Sequence, residues 1–211
     1  MKFYRRHKLL SIVTVVLIAT FLFSACDPGY GGKPVIYLYP TETTEVSVLI
    51  EHRGVIDYTY PPYNESWSVI AHPDGKIINK ADNKEYSYLF WEGHGARPYD
   101  FSEGFVVKGC DTTEFLQEKL AFMGLTPKEY NEFIVYWDPQ LQDNKYNLIS
   151  FQGEQYTEDV KLIIDPEPDS ILRVFMAVKP LNKAIDVPEQ KLSSFDRTGF
   201  TVVEWGGSII D

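Results

Sequence analysis

The sequence predicts an α+β fold that is mostly β: an N-terminal antiparallel β-sandwich or small barrel packed against a smaller α+β part. Three observations carry this. Residues 34–93 break into short apolar or alternating runs, each closed by a Pro or Gly turn. Residues 93–104 (GHGARPYDFSEG) form the longest irregular stretch and mark a subdomain boundary. Behind it come two helix-start signals and several further strand-like runs.

In the first part, residues 26–33 read as an anchor cysteine and a short Gly/Pro tether. Residues 35–39 (VIYLY) are a continuous apolar strand closed by Pro40. Val46, Val48 and Ile50 alternate with Ser47, Leu49 and Glu51, which is the period of a half-buried strand. Ile56, Tyr58 and Tyr60 repeat the pattern until Pro61-Pro62 stops it. Trp67, Val69 and Ala71 form the next strand. His72-Pro73-Asp74-Gly75 is a type I turn sequence, with Pro at its second position and Gly at its fourth, and Lys76-Ile77-Ile78 returns from it. Residues 86–91 (YSYLFW) close this part as its most apolar strand.

The second part, residues 94–211, mixes types. Residues 105–107 are a short strand. Residues 111–123 read as a helix with Asp111 at its N-cap, Glu114 three residues on, and Gly124 to close it. Thr126-Pro127-Lys128-Glu129 combines an N-cap Thr, a Pro at the first helical position and a capping-box Glu. The helix it opens is expected to be short, because residues 133–137 (FIVYW) read as a buried strand. Residues 146–151, 160–164, 171–178 and 200–205 are further strands.

Ahead of the fold stands a leader. Lys2, Arg5, Arg6 and Lys8 precede the apolar run 9–23, and Phe23-Ser24-Ala25-Cys26 follows. A basic head, an apolar stretch too short for an ordinary span and small residues at the end are the parts of a secretory signal. The Cys after small residues resembles the lipobox of bacterial lipoproteins. That resemblance implies a signal peptide over residues 1–25, diacylation of Cys26, palmitate-type lipid, and a domain held at the extracytoplasmic face of the cell membrane. An uncleaved anchor gives the same side.

Removing residues 1–25 leaves 16 Lys and Arg against 30 Asp and Glu, a formal charge of −14. Such a surface repels phosphate backbones, so nucleic acid is not an expected partner, and membrane contact is expected through the anchor alone. Lipidation of Cys26 leaves Cys110 without a partner for a disulfide.

The richest candidate site is the 92–103 loop, with Glu92, His94, Arg97, Asp100 and Glu103. Glu92 and His94 with Asp100 or Glu103 offer metal-ligand types, at a spacing that matches no zinc motif. Glu92 and Glu204 are the candidate carboxylate pair for glycoside hydrolysis, since each adjoins a tryptophan, Trp91 and Trp205. Neighbouring strand residues point to opposite sides, so each Trp-Glu step also reads as one buried and one wet face. Trp91, Tyr99 and Trp205 are the candidate sugar-stacking residues, which with Glu92, His94 and Glu204 make the ligand-binding set. Cys110, between a strand and a helix N-cap, reads as a candidate nucleophile or a small packed residue. Residues 138–144 and 165–169 supply oxygen ligands of calcium type or ordinary acidic turns. No phosphate-binding loop, dinucleotide fingerprint, zincin or serine-hydrolase motif occurs, and no cofactor is expected.

Residues 33–40 (KPVIYLYP), 86–93 (YSYLFWEG), 131–137 (NEFIVYW) and 199–207 (GFTVVEWGG) together resemble an uncharacterised family of bacterial exported proteins and lipoproteins. The resemblance implies one co-folding unit across both parts and carries no activity with it. The expected function is that of a membrane-anchored, non-catalytic binding or envelope-associated protein for an envelope glycan or protein. The alternative is a glycan-directed envelope hydrolase using Glu92 and Glu204.

Overall fold

The structure, a computed structural model, describes residues 32–95 and 98–210. The leader, Cys26 and Arg97 lie outside the described residues.

The fold is mostly β with few helices, as the sequence predicts, built on two open sheets with no closed barrel. Strand β1 (Gly32–Tyr39) lies near the middle of a seven-stranded sheet. On one side of it come β7 (Leu89–His94) and the edge strand β3 (Val55–Tyr60). On the other come β12 (Thr201–Ile209), β11 (Ser170–Leu181), β9 (Tyr146–Gln152) and β8 (Phe105–Lys108). The second sheet runs β10 (Val160–Asp165), β2 (Thr44–His52), β4 (Trp67–Ala71), β5 (Ile77–Asn79) and β6 (Lys84–Tyr86). Both sheets draw strands from either side of the 93–104 stretch, so the two parts of the sequence interleave.

Two helices, α1 (Thr112–Phe122) and α2 (Pro127–Leu141), pack on the other face of the large sheet and make three layers. This arrangement explains the apolar run at the start of the fold. Val35 and Tyr37 face the helices, while Ile36 and Leu38 face the small sheet, and all four are buried. A strand covered on both faces needs no polar alternation. Strand β2, covered on one face, keeps it: Val46, Val48 and Ile50 are buried, while Glu45 and Glu51 are exposed. The His72–Gly75 turn forms as expected, with the Gly75 N–H donating to the His72 carbonyl at 2.9 Å.

Five local expectations are corrected. Residues 133–137 are the middle of α2. Glu129, Phe133, Trp137 and Leu141 recur every four residues as its buried stripe, and the capping box at Thr126 and Glu129 starts it. The helix continues through Pro139, so the acidic loop read from residue 138 begins as helix. Residues 86–91 are two strands in different sheets, with the chain changing sheets at Ser87 and Tyr88. A short helix, α3 (Glu154–Asp159), was not expected between β9 and β10. The first strand starts at Gly32, inside the stretch read as tether.

β11 and β12 pair in parallel, so residues 182–200 must cross from one end of the sheet to the other. This crossover is irregular. Gln190 holds it by copying a strand partner: its Nε2 donates to the Phe151 carbonyl at 2.6 Å, and the Phe151 N–H donates to its Oε1 at 2.9 Å. Arg197 holds it further along, donating to the Gly124 carbonyl and to both carboxylate oxygens of Glu129.

Candidate functional site on an uncovered aromatic face

The helices cover the centre of the large sheet and leave β7 and β3 open. Phe90 packs at the margin of the helix-side core, and the Tyr58 ring meets it edge-on at 5.9 Å. Tyr58 is 54 % exposed and Tyr60 50 %, unusual values for tyrosines beside such a core. Tyr60 meets Tyr86 of the other sheet at 5.2 Å, and Tyr88 meets Tyr37 at 5.6 Å. The outcome is a shelf of aromatic rings along one edge of the sandwich.

Charged groups border this shelf. Strand pairing sets Tyr58 opposite Glu92 and Tyr60 opposite Phe90. His94 and Asp57 are joined at 2.6 Å between Nδ1 and Oδ2, both partly exposed. From α2, Glu132 accepts the Tyr37 hydroxyl at 2.6 Å. Burial, followed by that bond and the charge of Glu132, drives the Tyr37 phenol far above its ordinary range, so it stays a hydrogen-bond donor. Lys33, at the start of β1, places its Nζ 4.5 Å from the Tyr136 ring centre and 5.7 Å from that of Trp205.

The sequence-predicted residues divide between core and surface. Trp91 and Trp205 are 2 % and 0 % exposed, so neither presents a ring for stacking, which corrects that expectation. Trp205 packs on Phe133 under α2, and Trp91 lies between the sheets beside His52. Tyr99 is partly buried, stacked on Phe175 at 5.4 Å, and burial pushes its phenol up to about 12. Glu204 is 1 % exposed and fully engaged: Arg173 Nε donates to it at 2.6 Å and Trp91 Nε1 at 3.3 Å. Glu92 and His94 are partly exposed on the shelf.

Glu92 and Glu204 do not form a carboxylate pair. Glu204 bonds to Trp91 and therefore shares its face, toward the small sheet. Glu92 is the next residue on the same strand and points the opposite way, where its charge helps raise the Tyr136 phenol after burial has done most of that work. The sheet itself stands between the two carboxylates. The reading of one wet and one buried face holds for Trp91-Glu92 and fails for Glu204-Trp205, because β12 is covered on both sides.

The 98–103 part of the candidate loop lines a polar concavity of about 370 Å³ with Ser150, Gln152, Glu154, Gln155 and Gln190. Gln152 holds the loop by accepting the Asp100 N–H at 3.0 Å and donating to its carbonyl at 2.9 Å. The Ser102 backbone N–H keeps the Asp100 carboxyl below the usual carboxylate range. No group of three or more His, Cys, Asp or Glu among the described residues is arranged to hold a metal. Cys110 is exposed, and its thiol contacts Asp111 at 3.3 Å. His94 bonds Asp57, His72 bonds Thr43, and His52 packs on Trp91. Asp169 of the second acidic turn accepts the Phe200 N–H at 2.7 Å, a structural bond. Among the described residues no helix is long and apolar enough to cross a membrane.

Sequence reading passed over Tyr58 and Tyr60 as ordinary strand alternation and Lys33 as tether. The one signal available was the Gly32-Lys33-Pro34 step, since a Pro at the head of a strand marks a bulge or an edge.

No family model and no solved structure matches the chain. A protein of Butyrivibrio fibrisolvens described as "Uncharacterized protein in bglA 3'region" is 40% identical over 87 residues, which is 40% of this chain and 88% of that protein. With that identity over most of the relative's length, the chain belongs to the family of this Butyrivibrio fibrisolvens protein.

Proposed function

We propose that this chain is a membrane-anchored extracytoplasmic lipoprotein, held by lipid on Cys26, whose domain binds an envelope glycan without converting it. The observation that supports the reading is the pair of half-exposed tyrosines, Tyr58 and Tyr60, on a face that also carries Phe90, Glu92 and His94. Aromatic faces offer apolar area to sugar rings, and carboxylate and imidazole groups beside them accept or donate to hydroxyls. The test is retention on immobilised cell-wall glycans. Tyr58→Ala with Tyr60→Ala should lose retention, and unchanged retention sinks the reading. Palmitate-analogue labelling should depend on Cys26, and labelling that persists in Cys26→Ala refutes the anchor.

The Asp57–His94 contact favours a second reading, a glycan-directed hydrolase. Asp57 fixes the imidazole through Nδ1 and leaves Nε2 to take a proton from water, with Glu92 on the same face as the acid. Turnover of polysaccharide that is abolished in both Glu92→Gln and His94→Gln, while binding persists, would establish it over the first.

A further inference from the structure

We propose that Lys33 binds a carboxylate on the ligand of the aromatic face, which makes that ligand an acidic, uronate-type glycan. The inference rests on the face being a glycan site and adds its charge.

The backbone re-aims this lysine. Pairing joins Gly32 to Gly207 and Val35 to Trp205, so Lys33 and Pro34 together stand opposite Gly206 alone. That is a β-bulge, a device that turns a side chain out of the regular alternation and recurs next to binding sites. Lys33 holds a φ of 52°, a left-handed conformation that is uncommon for a lysine. A side chain opposite would crowd the bulge: a Cβ on Gly206 would stand 3.0 Å from the Pro34 Cα.

The charge placed there lacks a counter-ion. The Lys33 ammonium is half-buried against Tyr136 and Trp205, and among the described residues no carboxylate pairs with it. Burial lowers its pKa, and the more distant charge of Glu132 only partly offsets that. An ammonium that has lost water without gaining an anion favours an incoming carboxylate.

Position gives the length of the ligand. β1 meets β7 with Val35 opposite Phe90. Glu92, two residues beyond Phe90 on β7, is opposite Tyr58, and Lys33 lies two residues before Val35 at the same end of β1. Lys33 on β1 and Tyr58 on β3 are thus separated by one strand, β7, and two strand spacings make about 10 Å. A sugar ring on Tyr58 and Phe90 would have its neighbour's carboxylate at Lys33.

The experiment compares a uronate-containing oligosaccharide with the same oligosaccharide after its carboxyl groups are reduced to alcohols. Binding to the full chain in detergent micelles is measured by calorimetry. Carboxyl reduction should weaken wild-type binding about tenfold, the worth of one partly exposed charge-assisted hydrogen bond. Lys33→Gln should lose that factor for the acidic form alone, and Lys33→Arg should keep it. A carboxyl effect that survives Lys33→Gln overturns the lysine assignment and leaves the face intact. Equal weakening of both forms in Lys33→Gln reduces the lysine to a structural role. Binding of both forms that is indifferent to Tyr58→Ala, or absent from wild type, overturns the face and the inference with it.

Discussion

Glu204 is the most informative residue to change, because a catalytic carboxylate and a structural one respond differently to the loss of a charge. Its partner Arg173 is also buried, with a side chain 10 % exposed. Arg173 donates from Nε to Glu204 at 2.6 Å and from Nη1 to the Val160 carbonyl at 2.6 Å, and its guanidinium lies 4.9 Å from the Tyr156 ring centre. Glu204→Gln keeps the shape and one acceptor for Trp91, but leaves the guanidinium charge buried without its counter-ion. Breaking such a pair costs about 3–5 kcal/mol, and the surviving contacts of Arg173 put this case near 3. For a chain of this size that lowers Tm by about 6–12 °C. Urea and thermal unfolding followed by tryptophan fluorescence measure it, since Trp91 reports on this cluster. The double change Glu204→Leu with Arg173→Met should recover much of the loss, because apolar replacements of buried pairs are often neutral or better. A Tm drop under about 2 °C in Glu204→Gln would refute the structural role.

Two further predictions concern the crossover and the central strands. Glu129 is fully buried; burial pushes its carboxyl up, but the Arg197 bonds, the Thr126 N–H, the Tyr39 hydroxyl and the Arg197 charge together hold it below its ordinary value of 4.5. Because the folded value is the lower one, this stabilisation is present above about pH 4.5 and is lost as pH falls through the folded value. Stability measured against pH should therefore lose part of its acid slope in Glu129→Gln, and an unchanged slope tells against the assignment. Gly207→Ala should cost about 1–3 kcal/mol, since its Cβ would stand 2.6 Å from the Met176 carbonyl and 2.9 Å from Trp137 in a ladder that has no room to shift. Gly153→Ala, with nothing within 4 Å, is the control and should stay within about 0.5 kcal/mol.

What was legible in the sequence followed local rules. The turns, the capping box at Thr126 and the alternation of β2 are fixed by residues within a few positions of each other, and each formed as read. The failures arose where a third layer decides. Residues 133–137 carry strand-type side chains, yet the cap upstream and the buried row at 129, 133, 137 and 141 commit them to helix, leaving Val135 76 % exposed. Glu204 and Trp205 alternate as a half-buried strand should, yet both are buried because helices cover one face and a sheet the other. The candidate site was half legible for the same reason. Glu92 and His94 lie on a strand that one layer leaves open, whereas Lys33 owes its direction to a bulge set by its partner strand.

That bulge links the proposed anchor to the proposed ligand. Seven residues run from Cys26 to Lys33, and a chain extends at most about 3.5 Å per residue, so with the proposed lipid on Cys26 the Lys33 backbone would lie within about 25 Å of it. With that anchor, the strand that begins the fold would also be the one nearest the membrane along the chain. Lys33 and, across β7, Tyr58 sit at this end of the sheet. With residues 26–211 at a formal charge of −14, an acidic polymer is repelled by most of the surface and would be accepted where a half-buried cation stands beside apolar rings. Specificity in this reading comes from the contrast between the half-buried Lys33 ammonium, which no carboxylate among the described residues pairs, and the acidic field around it, and the proposed tether would keep that contrast close to the membrane surface.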